Sequence, residues 1–375
     1  MKHLFVGLFA LLVVCIQVKA NPSEMDLSSV DKLALNVPSF AAESMESLVA
    51  FGQANTKNDL ERARFFFIWI AQNIKYDSSE YASKKRMTTK QEPITVFNAR
   101  KALCRGYADL LTVMCQKARI SARTVTGYCR NTEGGAVDSL EFHAWNILKI
   151  SDKWHLFDVT WASNHLDKSI SIDTRLEQYF LQPANSFIKR HLPFDPVCQL
   201  TDSIVSRNAF FFDTTNPVLR EKSYFGDVDS ILNQEVYLDW IELNIRSYDR
   251  ALTFMPEEKR LYDVLSYFKS EKAHLNFNQA MKLLETFNAL DEKTITNWSY
   301  NDLLNKIEEA STAQTFLNNA LNLYESMTFI VENEDAGLKK RNMLIISKNI
   351  EATNKLITFL QSIEKEMRHI PIARK

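Results

Sequence analysis

The sequence predicts an α+β domain followed by an all-α region, and three observations lead there. An apolar helical stripe and a helix that begins at a cysteine come first. Two runs of apolar–polar alternation follow, the second of which reads as a β-hairpin. Beyond about residue 226 the alternation stops. Long 3.6-period stripes take over there: Leu232, Val236 and Trp240; Leu261, Val264, Leu265 and Phe268; Leu356, Ile357 and Leu360. The chain has 375 residues, 46% hydrophobic and 24% charged, which is ordinary globular usage and excludes a disordered or collagen-like protein. The expected organisation is a targeting segment over 1–20, an α+β domain over 21–225 and a helical domain over 226–375.

Lys2 and His3 open the chain, and Leu4 to Ile16 is an apolar run with one glycine. Val18-Lys19-Ala20 then supplies small residues at −3 and −1 before Asn21-Pro22. This is the pattern of a secretory signal peptide, and the run is short for a membrane anchor. Cys15 follows Val13-Val14 instead of a small residue, which argues against a lipoprotein. No later stretch approaches the roughly 20 apolar residues a membrane helix needs. The sequence therefore predicts a secreted or periplasmic protein without a membrane span.

Asn58 or Asp59 can cap a helix running to about Lys75, with Phe66, Trp69, Ile70 and Ile74 on its apolar stripe. Residues 77–92 are polar, lead to Pro93 and read as a loop. A second helix begins near Cys104 and runs to about Lys117. SARTVTGYCR reads as a strand, and EFHAWNILKISDKWHLFDVTW as a hairpin turning at Ser151-Asp152. In the helical region Pro256, before EEKRLYDVL, is a good helix start.

Composition narrows the chemistry. Lys+Arg 45 against Asp+Glu 46 is no basis for a basic nucleic-acid face. Eight glycines, with no GxGxxG or GxxxxGK[ST] string, argue against nucleotide chemistry on the usual scaffolds. Scattered histidines and the lack of a CxxC pair predict no metal site, and nothing calls for a cofactor. Without Cys15 the cysteines are Cys104, Cys115, Cys129 and Cys198, too few for a disulfide scaffold. Cys115 lies about 16 Å along the helix axis from Cys104 and reads as core. Cys129 either bridges Cys115 or stays reduced.

The informative constellation is Cys104, His143 and Asp158. A thiol at a helix start sits where free N–H groups and the positive dipole end favour thiolate. Arg105 adds charge, and Gly106 leaves room for a substrate backbone. Period-2 alternation places His143, Trp145 and Ile147 on one face of the hairpin's first strand. On its second strand Trp154, Leu156, Asp158 and Thr160 share a face. A two-residue loop makes His143 and Asp158 diagonal neighbours; a four-residue loop sets them opposite one another; a three-residue loop separates them. In either favourable register His143 can act as base and Asp158 can fix its tautomer, while Cys104 attacks a carbonyl. The Cys104 N–H is one candidate oxyanion donor. Tyr76 and Asn73, in the NIKYD string, are further candidates; Trp145 and Trp161 are candidate cleft walls, with sheet packing as the competing use. His155, His165 and His191 read as surface or structural residues, the last two in loops.

LCRGYADLLTVMCQKARISARTVTGYCR followed by HAWNILKISDKWHLFDVTW resembles the transglutaminase-like superfamily of papain-like thiol enzymes. RARFFFIWIAQNIKYD and EQYFLQPANSFIKRHLPFDPVCQL are similar to flanking segments of its bacterial and kyphoscoliosis-peptidase-like branch, so the resemblance spans about residues 60–200. It implies an α+β core in which the cysteine helix packs on an antiparallel sheet carrying His143 and Asp158. It also implies a protein or peptide substrate, with cell-wall peptide among the options. Two departures stand out: Arg105 follows the cysteine where the animal crosslinking enzymes carry Trp, and no acidic run reads as a calcium loop. The competing expectation is a non-catalytic module whose helical half recruits a partner.

Overall fold

The computed structural model describes residues 26–77, 92–130, 140–163, 172–212, 220–221, 226–288, 290–329 and 334–368. The expected targeting segment over 1–20, most of the polar run before Pro93, and His165 lie outside these residues.

The helix Asp59–Asn73 is the spine of the first core. Asn58 caps it by accepting the Glu61 N–H at 2.9 Å, and Leu60 and Ala63 through Ala71 are all buried. The usual one-sided stripe is absent because other elements cover this helix on every side. Even Arg64 is buried, its guanidinium bonded to both oxygens of Asp31 at 2.8 Å and to Glu177. Two short parallel strands, β1 (Lys75–Tyr76) and β2 (Lys101–Ala102), then bring the chain to the cysteine helix, Cys104–Lys117. Between them Pro93–Ala99 is a seven-residue helix that starts on its proline, in a stretch for which the sequence predicts no element.

The main sheet is antiparallel in the order β5-β4-β3-β6, with β3 at Ala122–Arg130, β4 at Leu140–Ile150, β5 at Lys153–Phe157 and β6 at His191–Pro193. Ile150 pairs with Lys153, so the hairpin turns on two residues. Ser151 and Asp152 both take positive φ, 50° and 65°, as the tightest hairpin turn requires. The second strand is shorter than the alternation suggested. It ends at Phe157, and Val159–Ala162 forms a helical turn capped by Asp158.

Helices Val228–Glu235, Trp240–Phe254 and Lys259–Glu285 follow, then Tyr300–Glu325 and Glu334–Arg368. Pro256 lies in the turn before the third of these, which begins three residues later than its sequence signal. The first helices of this region share a core with the sheet: Ile245, Tyr248, Met255 and Phe268 pack with Tyr128, Leu192 and Phe194. Buried charges seal the junction. Arg123 on β3 bonds Asp195 and Glu235 at 2.8 Å each, and Arg250 bonds the same two carboxylates at 2.6 Å. From Ala273 onward the helices form separate apolar cores.

Candidate functional site

Cys104 occupies the first position of its helix, half-buried, behind Leu103. Leucine has no side-chain oxygen with which to cap, so the first-turn N–H groups face forward without an Asp or Ser competing for them. Beneath the thiol the helix is pinned to the sheet. Arg105 pairs with Asp109 at 2.8 Å, Asp109 accepts from Thr124 on β3, and Asn146 on β4 donates to the Ala108 carbonyl and to Thr112.

His143 lies on β4 opposite Gly127, and that pairing has a steric reason. A Cβ at position 127 would come within 2.1 Å of the Leu192 carbonyl oxygen and 2.6 Å of the Trp145 ring. Glycine there lets β6 and the Trp145 indole close in behind the imidazole. His143 Nε2 hydrogen-bonds Asp158 Oδ2 at 2.8 Å, which leaves Nδ1 for the thiol side. Burial alone would lower the His143 pKa. The Asp158 charge and hydrogen bond outweigh it, the Cys104 thiol contributes, and the group is held well above the ordinary histidine value. Asp158 is fully buried, which alone would raise its pKa, but His143 and His191 hold its carboxyl well below the usual range. Its other oxygen caps the following helical turn by accepting the Trp161 N–H at 3.0 Å.

The constellation read from the sequence therefore includes an imidazole and a carboxylate in direct contact, with a thiol beside the imidazole. Of the other candidates, Tyr76 runs beside the approach to Cys104: it pairs with Ala102, and its ring lies 6.5 Å from that of Tyr107. Gly106 is buried in the helix's first turn. Asn73 donates its side-chain amide back to the Trp69 carbonyl at 2.8 Å, so one of its N–H groups is spent on its own helix. Trp145 is fully buried among Val125, Ile147 and Phe187, a floor under the imidazole and not a cleft wall. Trp161 instead lies over the base, half-buried and stacked on His143 at 5.1 Å with Arg190 above its own ring.

His191 was missed. It is no loop residue but a buried member of β6, and its Nε2 bonds the same Asp158 oxygen at 3.0 Å. A three-residue strand is too short to show alternation, so only the apolar HLPF context could have signalled it. His143, Asp158 and His191 are also a ligand-type trio whose donor atoms lie within 4.8 Å of one another. The two hydrogen bonds to Asp158 account for all three atoms. The four described cysteines are free thiols, so Cys115 and Cys129 form no bridge. Cys115 is fully buried, as a core thiol should be.

An antiparallel sheet that carries His143 and ends a strand one residue before Asp158, packed on a helix that starts with Cys104, defines a papain-like α+β protein of the thiol-enzyme architecture. Within that class, residues 47–159 match the model of the transglutaminase-like superfamily, and this part of the chain is a transglutaminase-like domain. Over 182 residues, 47% of this chain, the sequence is 36% identical to kyphoscoliosis peptidase of Homo sapiens and 35% identical to that of Mus musculus. The chain spans 27% of the length of these relatives. Two solved structures align more loosely. A candidate cysteine protease from Cytophaga hutchinsonii covers 35% of this chain and 37% of its own at 24% identity and TM-score 0.25. A TGase crystal structure covers 40% and 35% at 20% identity and TM-score 0.26.

Proposed function

We propose that this protein is an exported thiol enzyme that attacks peptide or side-chain amides through Cys104, His143 and Asp158. The observation that carries the reading is the buried His143–Asp158 hydrogen bond beside a thiol at a helix start. Cys104 as thiolate adds to the amide carbon while the Cys104 N–H faces the developing oxyanion. The C–N bond then breaks, and the amine leaves with the proton held on His143. Water, or a second amine, attacks the acyl-thioester with His143 as base, releasing the acid or a new amide. Asp158 keeps the imidazole's tautomer and carries no proton itself. The curated relatives are named peptidases, which supports hydrolysis, and water is always available to an acyl-thioester whereas transamidation needs a site that excludes it. Export rests on the signal-peptide pattern of residues 1–20.

Cys104→Ala should abolish amide cleavage and leave the melting temperature within a few degrees of wild type. Activity equal to wild type in that variant would remove Cys104 from the mechanism. N-terminal sequencing of the exported protein should begin at Asn21.

A further inference from the structure

We propose that His191 is a positioning residue for this centre: it holds the Asp158 carboxylate so that Oδ2 stays aimed at His143. The inference rests on the thiol-enzyme reading and deepens it.

Three donors fix the carboxylate. His143 Nε2 and His191 Nε2 share Oδ2 at 2.8 and 3.0 Å, and the Trp161 N–H takes Oδ1 at 3.0 Å. A carboxylate's terminal torsion is broad, so without such anchors its oxygens swing relative to the base. His191 is well built to anchor it, because its own ring is buried and packed against three aromatic rings. Phe187 stacks on it at 3.9 Å and 16°, Trp161 lies at 4.5 Å and the Trp145 ring at 5.1 Å. The backbone contributes too: β6 pairs His191 with Cys129 on the same sheet that carries His143.

The tautomer follows from the surroundings. His191 Nδ1 is buried with no hydrogen-bond partner among the described residues. A proton there would bury an unpaired N–H, so the proton sits on Nε2 and His191 donates to Asp158. Burial outweighs the pull of Asp158, and the nearby His143 and Arg190 charges add to it, so His191 is lowered to about 4. It therefore stays a neutral donor near neutral pH. The full negative charge of Asp158 is left to His143, and the two imidazoles on one oxygen divide into a cation and an orienting group.

The test compares His191→Phe, which keeps the ring stacking and loses the donor, with His191→Gln, which restores an N–H near the Nε2 position. The readout is the rate of iodoacetamide labelling at Cys104 from pH 5 to 10, beside melting curves of each variant. The acid limb should move up by about one pH unit in His191→Phe, with full labelling still reached at high pH, and return towards wild type in His191→Gln. If the Phe variant does not fold, His191→Met, also without a donor, takes its place. A folded donorless variant with the wild-type profile overturns the proposal, as does a Gln variant as impaired as the Phe one. An ordinary thiol titration in wild type itself would instead overturn the thiol-enzyme reading.

Discussion

The sheet region and the far helical bundle are held together by different means. In the sheet region and the helix packed on it, buried ionisable groups are held in pairs and networks: Arg64 with the half-buried Asp31, Arg123 with Asp195, Glu235 and the partly exposed Arg250 beside them, His143 and His191 with Asp158. From Ala273 onward no Asp, Glu, Lys or Arg is buried among the described residues. The helices meet there along alanines, namely Ala273, Ala280, Ala310, Ala313 and Ala320, interleaved with Leu317, Leu303 and Leu360. An apolar seam stabilises without demanding one partner, whereas a buried charge tolerates only the geometry that pairs it. The first kind of packing suffices to keep helices together. The second appears where a carboxylate has to point one way.

The sharpest way to break this contrast is at the site. Asp158→Asn should keep the fold and substrate binding while turnover falls by a factor on the order of 10⁴, because the wrong imidazole tautomer is then favoured. Unchanged turnover would make Asp158 structural only. Next comes the junction. Arg123→Met strands two buried carboxylates, Asp195 and Glu235, with Arg250 alone to neutralise them, and should cost about 3–5 kcal/mol in denaturant unfolding. A loss below about 1 kcal/mol would show that the network contributes little to stability. In the bundle, Leu317→Ala should cost about 2–5 kcal/mol through the cavity it leaves. Its Cys104 labelling should match wild type; a change there would mean that the bundle and the site are coupled.

The smallest effect concerns pH. Asp158, held below its unfolded value, stabilises above pH ~4 and loses that contribution in acid. His143, raised, stabilises fully below its unfolded value of about 6.5 and loses that as pH rises through its folded value. His191 runs the other way. Lowered to about 4, it leaves the folded chain one proton short of the unfolded chain between pH ~6.5 and 4, so stability falls as acid is added. His191→Gln should flatten the melting-temperature curve across that window, and an unaltered slope would contradict the assignment.

How much of this was legible in the sequence follows the same division. Periodicity showed the cysteine helix, which spans Cys104–Lys117 as expected, and the helical character beyond residue 226. The hairpin was legible to within its loop. Ser151-Asp152 lacks the glycine or asparagine that marks a two-residue turn, so sequence alone is compatible with loops of two, three or four residues, and the Ile150–Lys153 pairing selects the first. Asp158 was legible as a neighbour of His143 but not as a helix cap, because a four-residue helical turn has no period of its own. The buried networks left no trace, since Arg123 and Glu235 are 112 residues apart and nothing local records their meeting. His191 was barely legible: its partner Asp158 lies 33 residues away, and only the apolar HLPF context pointed to burial.

The central claim is that His143 activates the Cys104 thiol. The most direct test is the pH dependence of iodoacetamide labelling at Cys104, located by peptide mass spectrometry, in wild type and in His143→Ala. Fast labelling well below the free-thiol value of about 8.5, lost in the variant, is the predicted result. An ordinary thiol titration shared by both proteins would contradict it and leave a thiol-enzyme fold serving as a binding module.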